Sequence, residues 1–199
     1  YEDAIIVTSD GVRLHGWYVS AEIEKARMIF FHGNGGNISG RLYLLPEFNR
    51  RGISVLLLDY RGYGKSQGVP SELGIYADAK AALEWLKNHS KHPTPIVYFG
   101  ESLGSAVAVD LAFEVEEPKK LIIQGGFTSA RAMAKVMYSF LGTALPITYR
   151  FDSVAKIRKL HCPLLSIHGT EDDIVPYTLG SELFDAHPGP KEFFSVRKA

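Results

Sequence analysis

The sequence is poor in several features that would place it in a broad class. It has one cysteine, Cys162, so no internal disulfide can form. A reducing compartment is the expectation, and with it a cytoplasmic location. Neither sign of charge is in excess, since Lys+Arg and Asp+Glu both number 22. That balance favours neither nucleic acid nor an acidic membrane as a partner. No apolar run approaches the roughly 18 residues that suggest a membrane span. No secretory signal is visible. The first residue is Tyr1 rather than Met, so a removed leader or anchor stays open, and membrane association would need such a segment. Internal repeats, low-complexity tracts and clear linkers are also missing. What the chain does have is apolar content: 46% of its 199 residues are hydrophobic, enough for one well-buried domain spanning 1–199.

The apolar residues fall in a rhythm. Residues 4–7 and 12–19 predict two strands around a Ser9-Asp10-Gly11 turn, and Asp-Gly between alternating apolar runs is a strong hairpin signal. Strands are then predicted at 28–31, 53–58, 96–99, 121–123, 164–167 and 191–196. Helices are predicted at 39–51, 71–88 with Ser71 as N-cap, 102–115 and 178–186. Continuous apolar runs such as Ile53 to Leu58 suit strands buried on both faces. Alternating strands and helices predict an α/β fold, with a mainly parallel sheet wrapped by helices and the hairpin as its antiparallel edge. Residues 127–160 break the rhythm. They hold a helical run at 130–141 and a crossing at Pro146, and form a small insertion.

Three segments carry chemistry. Gly100-Glu101-Ser102-Leu103-Gly104 matches G-x-S-x-G between a strand and a helix, the setting in which that pattern has meaning. A serine on a sharp turn needs small neighbours, and the turn lifts its hydroxyl out at the sheet's C-terminal edge. The helix N-terminus beneath it supplies N–H groups and positive potential for a developing oxyanion. His32-Gly33-Asn34-Gly35-Gly36-Asn37 lies at the same edge, after another strand. Its glycines let the backbone turn its N–H groups inward, and the amides of Asn34 and Leu103 can form an oxyanion hole. His32 reads as structural, holding the loop through two backbone partners. In His168-Gly169-Thr170-Glu171-Asp172-Asp173 one carboxylate could orient a histidine. Nucleotide binding is rejected: Gly64-Lys65-Ser66 follows a strand, but a phosphate loop would need glycine where Asp59 stands. His89 and His92 are three apart, and no nearby carboxylate or cysteine suggests a metal site.

These segments, with Asp59-Tyr60-Arg61-Gly62-Tyr63-Gly64-Lys65-Ser66, resemble the α/β-hydrolase superfamily over essentially the whole chain. The likeness is to its small, lid-poor branch, which includes serine-aminopeptidase-like hydrolases and protein depalmitoylases. The resemblance implies an α/β-hydrolase fold, Ser102 as nucleophile in a nucleophile elbow, and a chain order of serine before acid. It also implies that the acid is Asp172 rather than Asp173, and that the Asp59 to Ser66 run is structural. No cofactor or metal is implied.

The catalytic histidine of that family follows the last strand, and no histidine follows residue 196 here. His187 precedes that strand. Six strand residues span about 20 Å, which puts His187 at the opposite edge. The expectation is therefore a histidine beyond Ala199. The chain as given would be inactive without it, and it would also lack the last helix of the fold. Three functions compete. The first is an ester or thioester hydrolase, whose acyl site would be shaped by Phe127, Met133, Met137, Tyr138 and Phe140. The second is an aminopeptidase, which needs a carboxylate such as Glu101 to capture the substrate amine. The third is a non-catalytic binding protein on a hydrolase fold.

Overall fold

The computed structural model describes residues 1–89, 93–137 and 148–198. Eight strands form one sheet in the order β1-β2-β4-β3-β5-β6-β7-β8. The strands are β1 (Glu2–Val7), β2 (Arg13–Val19), β3 (Ala26–Phe31), β4 (Ile53–Leu58), β5 (Ile96–Glu101), β6 (Lys120–Gln124), β7 (Leu164–Gly169) and β8 (Lys191–Val196). β1 and β2 pair antiparallel with each other, and β2 with β4; the remaining pairs are parallel. The predicted α/β architecture and its antiparallel N-terminal edge are therefore observed.

Local chemistry explains these elements. Gly11 takes φ +82° in the hairpin turn, which the Thr8 and Gly11 amides close onto Val12 and Thr8 carbonyls. β1 alternates, burying Ala4 and Ile6 while Ile5 and Val7 stay exposed, as an edge with one covered face should. β3 and β4 lie inside the sheet, and their apolar side chains are buried on both faces. Among the described residues six α-helices accompany the sheet: α1 (Leu45–Arg50), α2 (Glu72–His89), α3 (Leu103–Glu114), α4 (Ala130–Met137), α5 (Ser153–Ile157) and α6 (Tyr177–Ala186). The Ser71 hydroxyl accepts from the Gly74 amide, so it caps α2 as predicted. α3 is apolar nearly all round because α2 and α5 pack onto it.

Two expectations change, and a third is met as far as the described residues reach. The helix expected over 39–51 is split into a 3-10 segment, Ile38–Leu44, and α1. Pro46 sits in the first turn of α1, where its missing N–H costs nothing, so the α-helix starts there. α5 was not foreseen. It has five residues, too few to show a period, and its start is fixed by Asp152 accepting from the Ala155 amide. Of the helix expected over 130–141, α4 covers residues up to Met137, and the rest lies outside the described residues. No helix among the described residues is long and apolar enough to cross a membrane.

The parallel strands decide where function can reside. β5 lies between β3 and β6, with β7 beyond. All four point the same way, so the segments that follow them gather at one rim. His187 lies at the other end, its ring nitrogens facing the Cys162 carbonyl at 2.9 Å and the Ile157 carbonyl at 3.4 Å.

Candidate active site

Ser102 stands where β5 becomes α3, with φ 49° and ψ −113°. An L-residue pays strain for such a φ, and strain of this kind collects at functional turns. The surroundings enforce it. The Ser102 amide donates to the Gln124 carbonyl at 2.8 Å, and its carbonyl accepts from the Ser105 amide and hydroxyl at 2.8 and 2.6 Å. The motif's glycines have a packing reason. A β-carbon on Gly100 would lie 2.3 Å from the Gly104 oxygen, and one on Gly104 would lie 1.9 Å from the Phe31 oxygen. Helix and strands approach too closely there for any side chain.

The loop after β3 packs directly on this turn. A β-carbon on Gly33 would be 3.4 Å from that of Ser102. Asn34 follows Gly33, and Leu103 follows Ser102 as the first residue of α3, so both residues expected at an oxyanion hole are chain neighbours of this contact, although neither lines the cavity beside Ser102. His32 is buried as expected, but it does not hold two backbone partners. Its Nδ1 meets the Gly33 carbonyl at 2.7 Å, while Nε2 faces the Asp59 carboxylate at 3.5 Å. Asp59 also accepts from the Ile38 amide at 3.0 Å. Tyr60 donates its hydroxyl to the His32 carbonyl at 2.9 Å, and Tyr63 donates to the Asn34 side-chain oxygen at 2.7 Å. The Asp59 to Ser66 run is thus the brace of the loop.

On the far side of Ser102, Asp172 accepts the amides of Ile174 and Val175 through Oδ1, at 2.9 and 2.8 Å. Its Oδ2 is oriented toward Gly125 and lies 3.7 Å from His168 Nε2. Asp172, Ser102, Glu101, Gly125 and Val196 line one cavity of about 360 Å³. Asp173 is exposed and does not line it.

Of the six histidines among the described residues, five are engaged away from the cavity and His168 lines it. His15 pairs with Asp3, His89 with Glu2 and His161 with Glu117. His32 and His187 bond as given above. His168 uses Nε2 on the Val175 carbonyl at 2.8 Å, and its ring is packed beneath Gly180. The Glu2 partner of His89 comes from β1, so sequence proximity missed it; His92 lies outside the described residues. Cys162 offers no competing nucleophile, because burial and the nearby Glu117 push its thiol up to about 12.

Two expectations about the cleft need correction. Glu101 is not a free carboxylate, since Arg41 binds both of its oxygens, at 2.9 and 2.6 Å. Phe127 is core, buried with Ala106, Phe151, Val175 and Leu179, and Met133 packs partly on the same cluster. Met137 is exposed, and none of these three lines the cavity. Tyr138 and Phe140 lie outside the described residues.

Comparison with known proteins places the chain in a family. The family model described as "Serine aminopeptidase, S33" matches residues 22–152. The chain belongs to that family, within the α/β-hydrolase superfamily. An uncharacterized protein of Mycobacterium tuberculosis, Rv2307c, is 42% identical over 197 residues, covering 98% of this chain and 70% of that protein. The lysophosphatidylserine lipase ABHD12 of Danio rerio is 32% identical over 189 residues, covering 85% of this chain and 49% of that protein. An esterase of Pyrococcus furiosus superimposes with a TM-score of 0.79 at 22% identity, covering 99% of this chain and 82% of the esterase. At that identity the likeness shows the fold alone. Among the sequence relatives, a lipase name thus stands beside the family's peptidase name.

Proposed function

We propose that this protein is a serine hydrolase that cleaves carboxylic ester or thioester bonds through an acyl-enzyme on Ser102. The observation that carries the proposal is the strained Ser102 turn, which opens into the same cavity as the Asp172 carboxylate. In this reading the turn is a nucleophile elbow. The Ser102 oxygen attacks the acyl carbon while a histidine takes the hydroxyl proton. The amides of Asn34 and Leu103 hold the oxyanion. The tetrahedral centre collapses, the histidine protonates the departing alcohol or thiol, and the acyl group stays on Ser102. Water then attacks, the histidine again moving the proton, and the acid leaves. Asp172 orients the histidine. No step needs a cofactor.

The histidine, in this proposal, comes from residues beyond 199. Two features support that. Among the described histidines only His168 lines the cavity, and its Nε2 is bonded to the Val175 carbonyl. The end of β8, Val196, lines the Ser102 cavity, so chain continuing from it emerges at the correct rim. The peptidase reading is weaker, because the carboxylate nearest the serine is held by Arg41.

A fluorophosphonate probe tests the reading without a known substrate. Intact mass of the full-length protein should gain one probe adduct, and Ser102→Ala should abolish it. Absence of labelling on a folded full-length protein would favour the binding-protein alternative. Labelling that persists in Ser102→Ala would remove Ser102 from the mechanism.

A further inference from the structure

Two segments sixty residues apart in sequence meet beside Ser102. Arg41 sits in the 3-10 segment that follows the glycine-rich loop. Glu101 is the last residue of β5, covalently next to Ser102. Arg41 donates Nε to Glu101 Oε2 at 2.9 Å and Nη2 to Oε1 at 2.6 Å. Its remaining nitrogen, Nη1, donates to the Gly35 carbonyl at 3.1 Å. The two side chains are 16% and 26% exposed, so the pair is partly withdrawn from water. A planar fork on a carboxylate there is strong and directional. Glu101 correspondingly holds the guanidinium pKa above its usual value.

The loop needs such a tie. Between His32 and Asn37 it has Gly33, Gly35 and Gly36, and Gly36 takes φ +72°. Glycine backbone is costly to order and has no side chain with which to hold a position. Gly35 is the next residue after Asn34. One guanidinium is therefore bonded to the neighbour of Asn34 on one side and to the neighbour of Ser102 on the other.

We infer that Arg41 is a positioning residue, which through Gly35 and Glu101 sets the Asn34 amide against Ser102. The inference rests on the hydrolase reading above. Arg41 does not line the cavity and need not touch substrate. Its contribution is to the transition state, where an oxyanion donor displaced by a fraction of an ångström loses most of its value.

The test is a double-mutant cycle in the full-length protein: Arg41→Gln, Glu101→Gln and both together, with Arg41→Lys added. Turnover is read on a neutral p-nitrophenyl ester. Amide hydrogen exchange over residues 33–38 is read on the same samples, with thermal unfolding to confirm a folded state. The clamp predicts that kcat falls about tenfold to a hundredfold in each single variant. KM should move by less than about twofold, because ground-state binding is untouched. The double variant should be no worse than the poorer single, and exchange at 33–38 should quicken in all three. Arg41→Lys should recover part of kcat, since it keeps charge but loses the fork. If Arg41→Gln fails to fold, Glu101→Gln carries the same prediction. Unchanged kcat, a rise in KM alone, losses that multiply in the double variant, or unaltered exchange would each overturn the clamp. A wild-type protein that does not label at Ser102 would overturn the hydrolase reading instead, and exchange would still show whether Arg41 orders the loop.

Discussion

Two walls flank Ser102, the loop after β3 and the loop after β7; only the second lines the cavity, and the two are built in opposite ways. The wall carrying Asn34 is held by residues far away in sequence. Ile38 bonds Asp59, His32 accepts from Tyr60, Asn34 accepts from Tyr63 and Arg41 binds Glu101, with separations of 21, 28, 29 and 60 residues. The wall carrying Asp172 holds itself, because its carboxylate takes amides only two and three residues on. The difference follows from composition. Glycines let a backbone approach a serine closely but supply no contacts, so the loop borrows rigidity from β4 and β5. An aspartate that folds its own turn needs no such help. One wall depends on the whole fold; the other is close to a local motif.

That comparison can be broken in four places, in falling order of effect. Asp172→Asn keeps the oxygen that accepts from Ile174 and Val175, so the wall should stand and only the charge is lost. Turnover should fall about 10⁴-fold, with stability changed by less than about 1 kcal/mol. Paired kinetics and denaturant melts check both halves. A large loss of stability would mean that this wall is not self-sufficient. Gly64→Ala attacks the other wall from a distance. Its β-carbon would lie 1.8 Å from Asp59 Oδ2, at a residue with φ +50°. Moving Asp59 should cost about 3 kcal/mol and slow turnover as well. Tyr63→Phe removes one tie to Asn34. It should cost about 1 kcal/mol of transition-state stabilisation, or roughly fivefold in kcat. Asp173→Asn changes the exposed neighbour of Asp172 and should leave turnover intact and stability within about 0.5 kcal/mol. A turnover loss there matching that of Asp172→Asn would mean that the wrong carboxylate has been chosen.

Much of the fold was legible in the residues. β4 and β8 fall on their expected bounds: β4 because an apolar run bounded by turn residues marks a buried strand, β8 although its residues are exposed or half-buried. β5 runs two residues further than expected, since Gly100 and Glu101 do not look apolar yet still pair with β6. The serine turn was legible because G-x-S-x-G between a strand and a helix is a local pattern, although the contact that requires Gly104 is with the remote Phe31 of β3. Arg41 was not. Nothing around it marks it out, and its partner lies sixty residues on. Glu101 was noticed for its carboxylate, but sequence cannot say which way a side chain points. Phe127 and Met133 were assigned to an acyl site by apolarity, which does not separate a cavity wall from a core.

By itself the sequence determined the strand–helix rhythm, the strained serine between glycines and the acidic turn after β7, all set by local propensity and short-range contact. The tertiary structure alone decided that these stand at one rim. It also showed Asp172, to which the resemblance already pointed, lining one cavity with Ser102, and it decided that Glu101 is bound by Arg41. Those outcomes depend on parallel pairing and on side chains from remote segments, and pairing of that kind has no trace in neighbouring residues.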